Sequence, residues 1–298
     1  MENLDQFPVS PEQQEEFSSK IELSFFRHGE KKNDREKSDF DIELTEEGKR
    51  QAVEKSEDGN PEQSVAFGSP RARAQETAAF VMAGSEEAIT GEESLDELRG
   101  KLDKGLDKGS KVGVDERLNF DLDIETPYGE KAFESFKNGE YLKFLVEQSD
   151  QLAEKLSDGA GFTYSRGASN IASMIDKYVK VAKRWDELAN DESKEYSDTL
   201  ERFFGTHMGV NEAFLAKLIE KTKGVEERDE FVQVLGGHGF DFTEGFEVEI
   251  LNKDSEEPII HINYKKEKEG ESEETVFEFS EEVSLGVIHE IIDEGAHQ

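Results

Sequence analysis

IELSFFRHGE, running from Ile21 to Glu30, decides how this chain is read. Its first six residues are apolar and β-prone but too few for a helix of ordinary length, so they predict a buried strand from Ile21 to Phe26. The strand stops abruptly at Arg27-His28-Gly29-Glu30, and a polar loop follows to about Asp41. LTEEGKRQAVEKS then reads as a helix. Thr45 can cap it, and Glu46 and Glu47 lie against the positive end of its dipole.

A second strand-like run, SVAFGS (Ser64 to Ser69), leads into Pro70 and the segment ARAQETAAFVMAG. Proline suits a helix start, and Ala74, Ala78, Val81 and Met82 fall on one helical face. Strand then helix, twice over, predicts a parallel α/β sheet.

From about Gly84 to Ser197 the chain is charged and helix-biased, with one short strand candidate, KVGV (Lys111 to Val114). The clearest helix there runs from Ser165 to Leu188, with Ile171, Met174, Ile175, Tyr178, Ala182 and Trp185 in a stripe that reads as core packing. This stretch, 84–197, is expected to be a helical insertion over the sheet. Strand and helix return in RFFGTH (Arg202 to His207) and GVNEAFLAKLIEK. FEVEIL, IIHINY and TVFEF then alternate with period 2, predicting an antiparallel extension over 246–280, and SEEVSLGVIHEII closes the chain as a helix.

The expected architecture is a three-layer α/β/α sandwich with a mostly parallel central sheet, one domain over 1–298. Residues 1–19 form a polar, flexible lead-in.

The chain has 298 residues with 71 acidic side chains against 36 basic ones, a formal charge of −35. Nucleic acid and anionic membrane surfaces are disfavoured as partners, because both demand a basic face. Hydrophobic residues make up 34%, but 21 Phe and the periodic segments exclude a disordered polyacid. With no cysteine there are no disulfides, thiol nucleophiles or Cys-based zinc sites. MENLDQFPVSPEQQEEF lacks the basic-then-apolar pattern of a secretory signal, and no run of 18 apolar residues occurs, so a cytoplasmic location is expected.

Arg27, His28, Arg73 and His207 stand at the exits of three predicted strands. In an open parallel sheet the crevice beyond the strand C-termini is where ligands bind. Arginines offer paired hydrogen bonds to oxyanions, and a neutral histidine offers a nucleophilic nitrogen. The ligand that fits such a group is a phosphoryl. No His, Asp and Glu set has metal-ligand spacing, so neither metal nor other cofactor is expected.

FFRHGE resembles the signature of the histidine phosphatase superfamily, which includes phosphoglycerate mutases and acid phosphatases. LTEEGKRQA is similar to that family's Leu-Thr-x-x-Gly helix start, and SPRARAQETA to its Ser-Pro-x-x-Arg-Ala-x-x-Thr-Ala segment. THMGVNEAFL resembles its second-histidine segment, and the four occur in the family's order across 21–220. The resemblance implies that His28 is the nucleophile that becomes phosphohistidine. Arg27, Arg73 and His207 would hold the phosphoryl oxygens, and the partner would be a small phosphorylated substrate. The implied activity is phosphomonoester hydrolysis. The alternatives are a phosphoglycerate-mutase-like transfer and a catalytically weak phospho-ligand binding protein.

The acid that would protonate the leaving oxygen has more than one candidate. In KVGVDERLNFDLD, Phe120 occupies the place where the family has its acid. Glu116 is favoured, with Asp121 and Glu97 behind it. Lys31 and Asn33 depart from the mutase pattern. Arg71 reads as a solvated helix-start arginine, Arg166 as a surface arginine, and His238, His261 and His289 receive no catalytic role.

Overall fold

Ile21, Leu23 and Phe25 alternate with Glu22 and Ser24, and the strand they form, β1 (Ser19–Arg27), sends those three side chains into one core and Phe26 into another. In the computed structural model, which describes residues 17–56, 63–156, 161–253, 257–268 and 275–296, β1 lies at the middle of a seven-stranded sheet. The others are β2 (Val65–Gly68), β3 (Val112–Val114), β4 (Thr199–Thr206), β5 (Gly245–Asn252), β6 (Ile259–Glu267) and β7 (Thr275–Val283), in the order β3-β2-β4-β1-β5-β6-β7. β3, β2, β4 and β1 run parallel, while β5, β6 and β7 continue the same sheet antiparallel.

Helices α1 (Glu46–Glu54), α2 (Ala72–Ala83) and α3 (Leu95–Leu102) cover one face of the parallel half, around Phe26, Ala66, Phe80, Leu98 and Val112. The opposite face carries α4 (Pro127–Lys137), α5 (Tyr141–Leu156), α6 (Tyr164–Ala189), α7 (Val210–Thr222), α8 (Val225–Leu235) and α9 (Leu285–Ala296) in one continuous core. The parallel half is therefore a three-layer α/β/α sandwich. Across β5 and β6 the first face instead presents Glu247, Glu249, His261 and Asn263, so this half has one buried and one polar side, as antiparallel sheets allow.

All six residues of the predicted α6 stripe are buried, and the helix packs on β1 and β5 as well as on α7 and α9. The expected insertion thus contributes a core helix. Of the expected lead-in, residues 1–16 lie outside the described residues, but Ser19 is already in β1 and buried, and Ser18 Oγ donates to Asp186 Oδ1 at 2.6 Å. The last strand also runs further than its sequence pattern suggested. Glu281 and Glu282 still pair with Ile262 and His261, and the closing helix begins only at Leu285. Among the described residues, no helix is long and apolar enough to cross a membrane.

Candidate active site

Parallel pairing puts the C-terminal ends of β1, β4 and β2 side by side: Arg27 is in register with Thr206, and Gly68 with Gly205. The ladder runs on into the site, with His28 N donating to Thr206 O at 3.0 Å and Ser69 N to Gly205 O at 3.3 Å. His28, Ser69 and His207 therefore leave three adjacent strands at one level. This is the crevice where an open α/β sheet binds ligands.

Two motif glycines fix the turn after His28. A Cβ on Gly29 would lie 2.5 Å from Gly48 O, and one on Gly48 would lie 2.1 Å from Glu30 O. The RHG turn and the start of α1 thus meet backbone to backbone, which no side chain would permit. Thr45 caps α1 as expected, accepting from Gly48 N at 2.9 Å, and its own N–H donates to Glu30 O. Gly29 N donates to Thr77 Oγ1 of α2 at 3.1 Å, tying the same turn to the second helix.

His28 Nδ1 lies 2.7 Å from the Gly29 carbonyl, which can only accept, so Nδ1 carries the proton and donates. Nε2 is then the nitrogen with a lone pair, and Arg73 Nε donates to it at 3.3 Å. Burial, above all, lowers the His28 pKa to about 3, with Arg73, Arg27 and Lys31 adding repulsion and the Gly29 bond opposing them. The His207 ring stands 5.1 Å away, edge on. It too is held well below the usual histidine range, by burial first and then by His28 and the nearby cations. Its Nε2 is 2.6 Å from Ser69 Oγ, while Nδ1 is buried without a hydrogen-bond partner.

Arg73 is buried, and desolvation pulls its pKa down to about 10, which leaves it charged at neutral pH. Arg27 Nη1 donates to the carbonyls of His238 (2.9 Å) and Phe240, and its Nε is buried without a partner. Behind it, Glu212 accepts from Gly209 N and Phe240 N, both at 2.8 Å. Its pKa is raised by burial, against those bonds and the Arg27 charge.

The structure thus brings Arg27, His28, Arg73 and His207 together. It does not bring the expected acid. Glu116 opens a short 3-10 turn with its side chain in solvent, Asp121 is exposed, and Glu97 closes the capping box of α3 with Ser94. None of these carboxylates hydrogen-bonds to either histidine. Phe120 faces the pocket in their place, its ring 5.0 Å from that of His207.

Arg71 corrects the sequence reading: it is buried, not solvated. Its guanidinium lies between Phe120 at 4.4 Å and Phe40 at 4.9 Å, and its Nε donates to Asn119 Oδ1. Asp39 was not foreseen at all. Its Oδ2 accepts from both Arg71 Nη1 and Arg73 Nη2, its Oδ1 from Lys31, and its carbonyl from Arg73 Nη1 at 2.8 Å. No regular pattern marks a loop position such as 39. Phe242 completes the rim, 4.9 Å from the Arg27 guanidinium and 6.2 Å from the His28 ring. The adjoining Thr243 holds a left-handed φ of 60°.

His238 contributes only its carbonyl, His261 bonds to Asn263, and His289 to Asp176. Arg166 turns to the Gly161 carbonyl. Among the described residues, no group of three or more His, Asp or Glu could hold a metal.

Fold and site together define an α/β protein whose parallel strands end in a buried, cation-lined histidine pair. The sequence comparison agrees: residues 23–137 match the model of the histidine phosphatase superfamily (branch 1), bearing out the resemblance carried by the motifs. The match takes in Arg27, His28 and Arg73 and ends before His207. No curated protein matches the chain. Among solved structures, a mycobacterial hydrolase is similar at 16% identity and a TM-score of 0.43, over 80% of this chain and 98% of the other. A mycobacterial glucosyl-3-phosphoglycerate phosphatase gives 15%, 0.40, 83% and 97%. A phosphoserine phosphatase from Entamoeba histolytica, solved with 3-phosphoglyceric acid, gives 16%, 0.36, 80% and 94%.

Proposed function

We propose that this protein hydrolyses small phosphomonoesters through a phosphohistidine on His28, without a metal. One observation carries the reading. His28 is neutral, with Nδ1 committed to Gly29 O and the Nε2 lone pair held against Arg73. A nucleophile must present an unprotonated nitrogen, and this histidine does so at neutral pH, since its pKa is lowered to about 3; the Arg73 N–H that Nε2 accepts would have to turn to the incoming phosphoryl before attack.

In the proposed reaction Nε2 attacks phosphorus and the ester P–O bond breaks, its electrons leaving with the oxygen. Water then cleaves the N–P bond, releasing phosphate and restoring neutral His28. The transition state is loose, so rate comes mainly from in-line positioning and from stabilising charge on the equatorial oxygens. Arg73 is fixed beside Nε2 for that task. Arg27 Nε and His207 Nδ1, buried and unpartnered, are the further groups to meet those oxygens.

His28→Ala should abolish turnover of p-nitrophenyl phosphate, and acid-labile, base-stable phosphate should be found on residue 28 after rapid quenching of the wild type. Full activity in the variant would end the proposal. One observation favours a second reading, a phospho-ligand binding protein: Asp39 occupies Lys31, Arg71 and Arg73, and among the described residues no carboxylate hydrogen-bonds to His28 or His207. Phosphate affinity without turnover of any ester would support it.

A further inference from the structure

General acids raise phosphoryl-transfer rates by protonating the leaving oxygen, an effect of about 10²–10⁴. Among the described residues, no carboxylate hydrogen-bonds to His28 or His207, and those nearest the cations are held by other groups or face solvent. Asp39 accepts from three cationic side chains, the role of an anion and not of a proton donor. Both oxygens of Glu212 accept backbone N–H groups. Glu76 has a pKa raised to about 7 by burial and its Oε1 has no protein partner, but its Oε2 accepts from Leu44 N, the charges it feels are Lys49, Glu43 and Lys32, and it makes no hydrogen bond to either histidine. Asp121 reaches the cluster only as a charge felt by Arg71. The ring of Phe120 stands 5.0 Å from that of His207, and Phe120 is the position where the motif resemblance would put the acid.

The organic half of the substrate would meet aromatic rings. Phe40 is 48% exposed and Phe242 39%, both beside pocket arginines, and Phe120 lies between Arg71 and His207. Exposed aromatic rings offer stacking surface to a flat apolar group.

Resting on the phosphatase reading above, we infer that the site is specialised for phosphomonoesters of phenol-type alcohols, whose leaving oxygen departs without protein protonation, and that Phe40, Phe120 and Phe242 seat the aromatic ring. A phenol ionises near pH 10, whereas alkyl alcohols lie close to water at about 15.7. A phenolate can leave with the P–O electron pair and take its proton from solvent afterwards. An alkoxide needs the proton during bond cleavage.

The test is kcat/KM for the wild-type protein across substituted phenyl phosphates and two alkyl phosphates, glycerol phosphate and phosphoserine. Rates should fall steeply as leaving-group pKa rises, and alkyl esters should trail phenyl phosphate by about 10³-fold, the size of a missing general acid. Alkyl esters turned over within about tenfold of phenyl phosphate would overturn the inference, because an acid worth 10²–10⁴ would then be at work. Failure to hydrolyse even p-nitrophenyl phosphate would instead defeat the phosphatase reading itself. Phe120→Glu should flatten the leaving-group dependence and raise alkyl turnover relative to aryl; a slope as steep as wild type would count against a donor being what the position lacks. Should that variant not fold, Phe242→Leu gives an independent check, expected to raise KM for phenyl phosphate more than for phosphoserine. Equal changes for both would remove the aromatic seat.

Discussion

Replacing Asp39 by Asn tests the electrostatics of the pocket most directly, because the two roles open to this residue give effects of opposite sign. Its carboxylate holds Lys31 at 3.1 Å, Arg73 at 3.1 Å and Arg71, and its side chain is 41% exposed. Partly exposed ion pairs of this kind are worth about 0.2–1 kcal/mol each, so the three together give about 1–2 kcal/mol. A phosphate entering the site must take those donors from Asp39. With the charge removed and the shape kept, phosphate should bind about 5- to 30-fold more tightly. Arg73 keeps its anchor to the Asp39 backbone carbonyl at 2.8 Å, so the variant does not free that guanidinium. Titration calorimetry with inorganic phosphate at low salt measures the change, and high salt should narrow it. Equal or weaker phosphate binding in the variant would refute the reasoning and make Asp39 a positioning residue for the two arginines.

Gly48→Ala would set a methyl 2.1 Å from Glu30 O, in the turn that carries His28. It should destabilise the protein by about 1–3 kcal/mol, and an unchanged melting temperature would mean that this contact relaxes freely. The His28 pKa of about 3 also predicts a pH dependence: the unfolded chain takes up a proton near pH 6.5 that the folded chain refuses, so stability is lost as pH falls from 6.5 toward 3. Urea unfolding at pH 7 and pH 5 should show the wild type losing about 2 kcal/mol relative to His28→Gln, and parallel losses would contradict the lowered pKa. Finally, with a chain charge of −35, moderate salt should raise kcat/KM for p-nitrophenyl phosphate by screening repulsion from the coat. A steep fall would show that substrates feel the pocket cations instead.

How much of this could be read beforehand depends on how local each signal is. Strand exits are local: an apolar run that ends in Arg27-His28 or Thr206-His207 announces itself, and parallel pairing then brings the ends together. Thr45 and the α6 stripe are equally local, a cap and a 3.6-residue period. The extent of β7 was not, since Glu281 and Glu282 look like a helix start and are held in the sheet only by pairing with β6. Arg71 was misjudged for a related reason. A charged residue after Pro70 resembles a solvated helix start until Phe40 and Phe120, distant in sequence, close over its two sides. Asp39 and Phe242 sit in loops whose shape follows no period, so only the assembled structure could place them at the pocket.

The same groups that would hold a phosphate also prepare the histidines to meet it. Burial alone disfavours a charged imidazole, and the neighbouring cations push further in the same direction, so both rings stay neutral within a strongly acidic protein. Concentrating Lys31, Arg71 and Arg73 around one carboxylate is unfavourable to the cations too: burial and mutual repulsion lower the Arg71 pKa to about 10, and Lys31 is also lowered. Two buried nitrogens, Arg27 Nε and His207 Nδ1, have no hydrogen-bond partner within the protein. An arriving phosphoryl dianion would answer all of these at once, supplying acceptors to the unpartnered nitrogens and countercharge to the cations. The crowding of cations, unfavourable in itself, is therefore what would favour binding of a phosphate. Fold stability has to come from elsewhere, from the continuous core that α6 and α7 form against β1, β4 and β5.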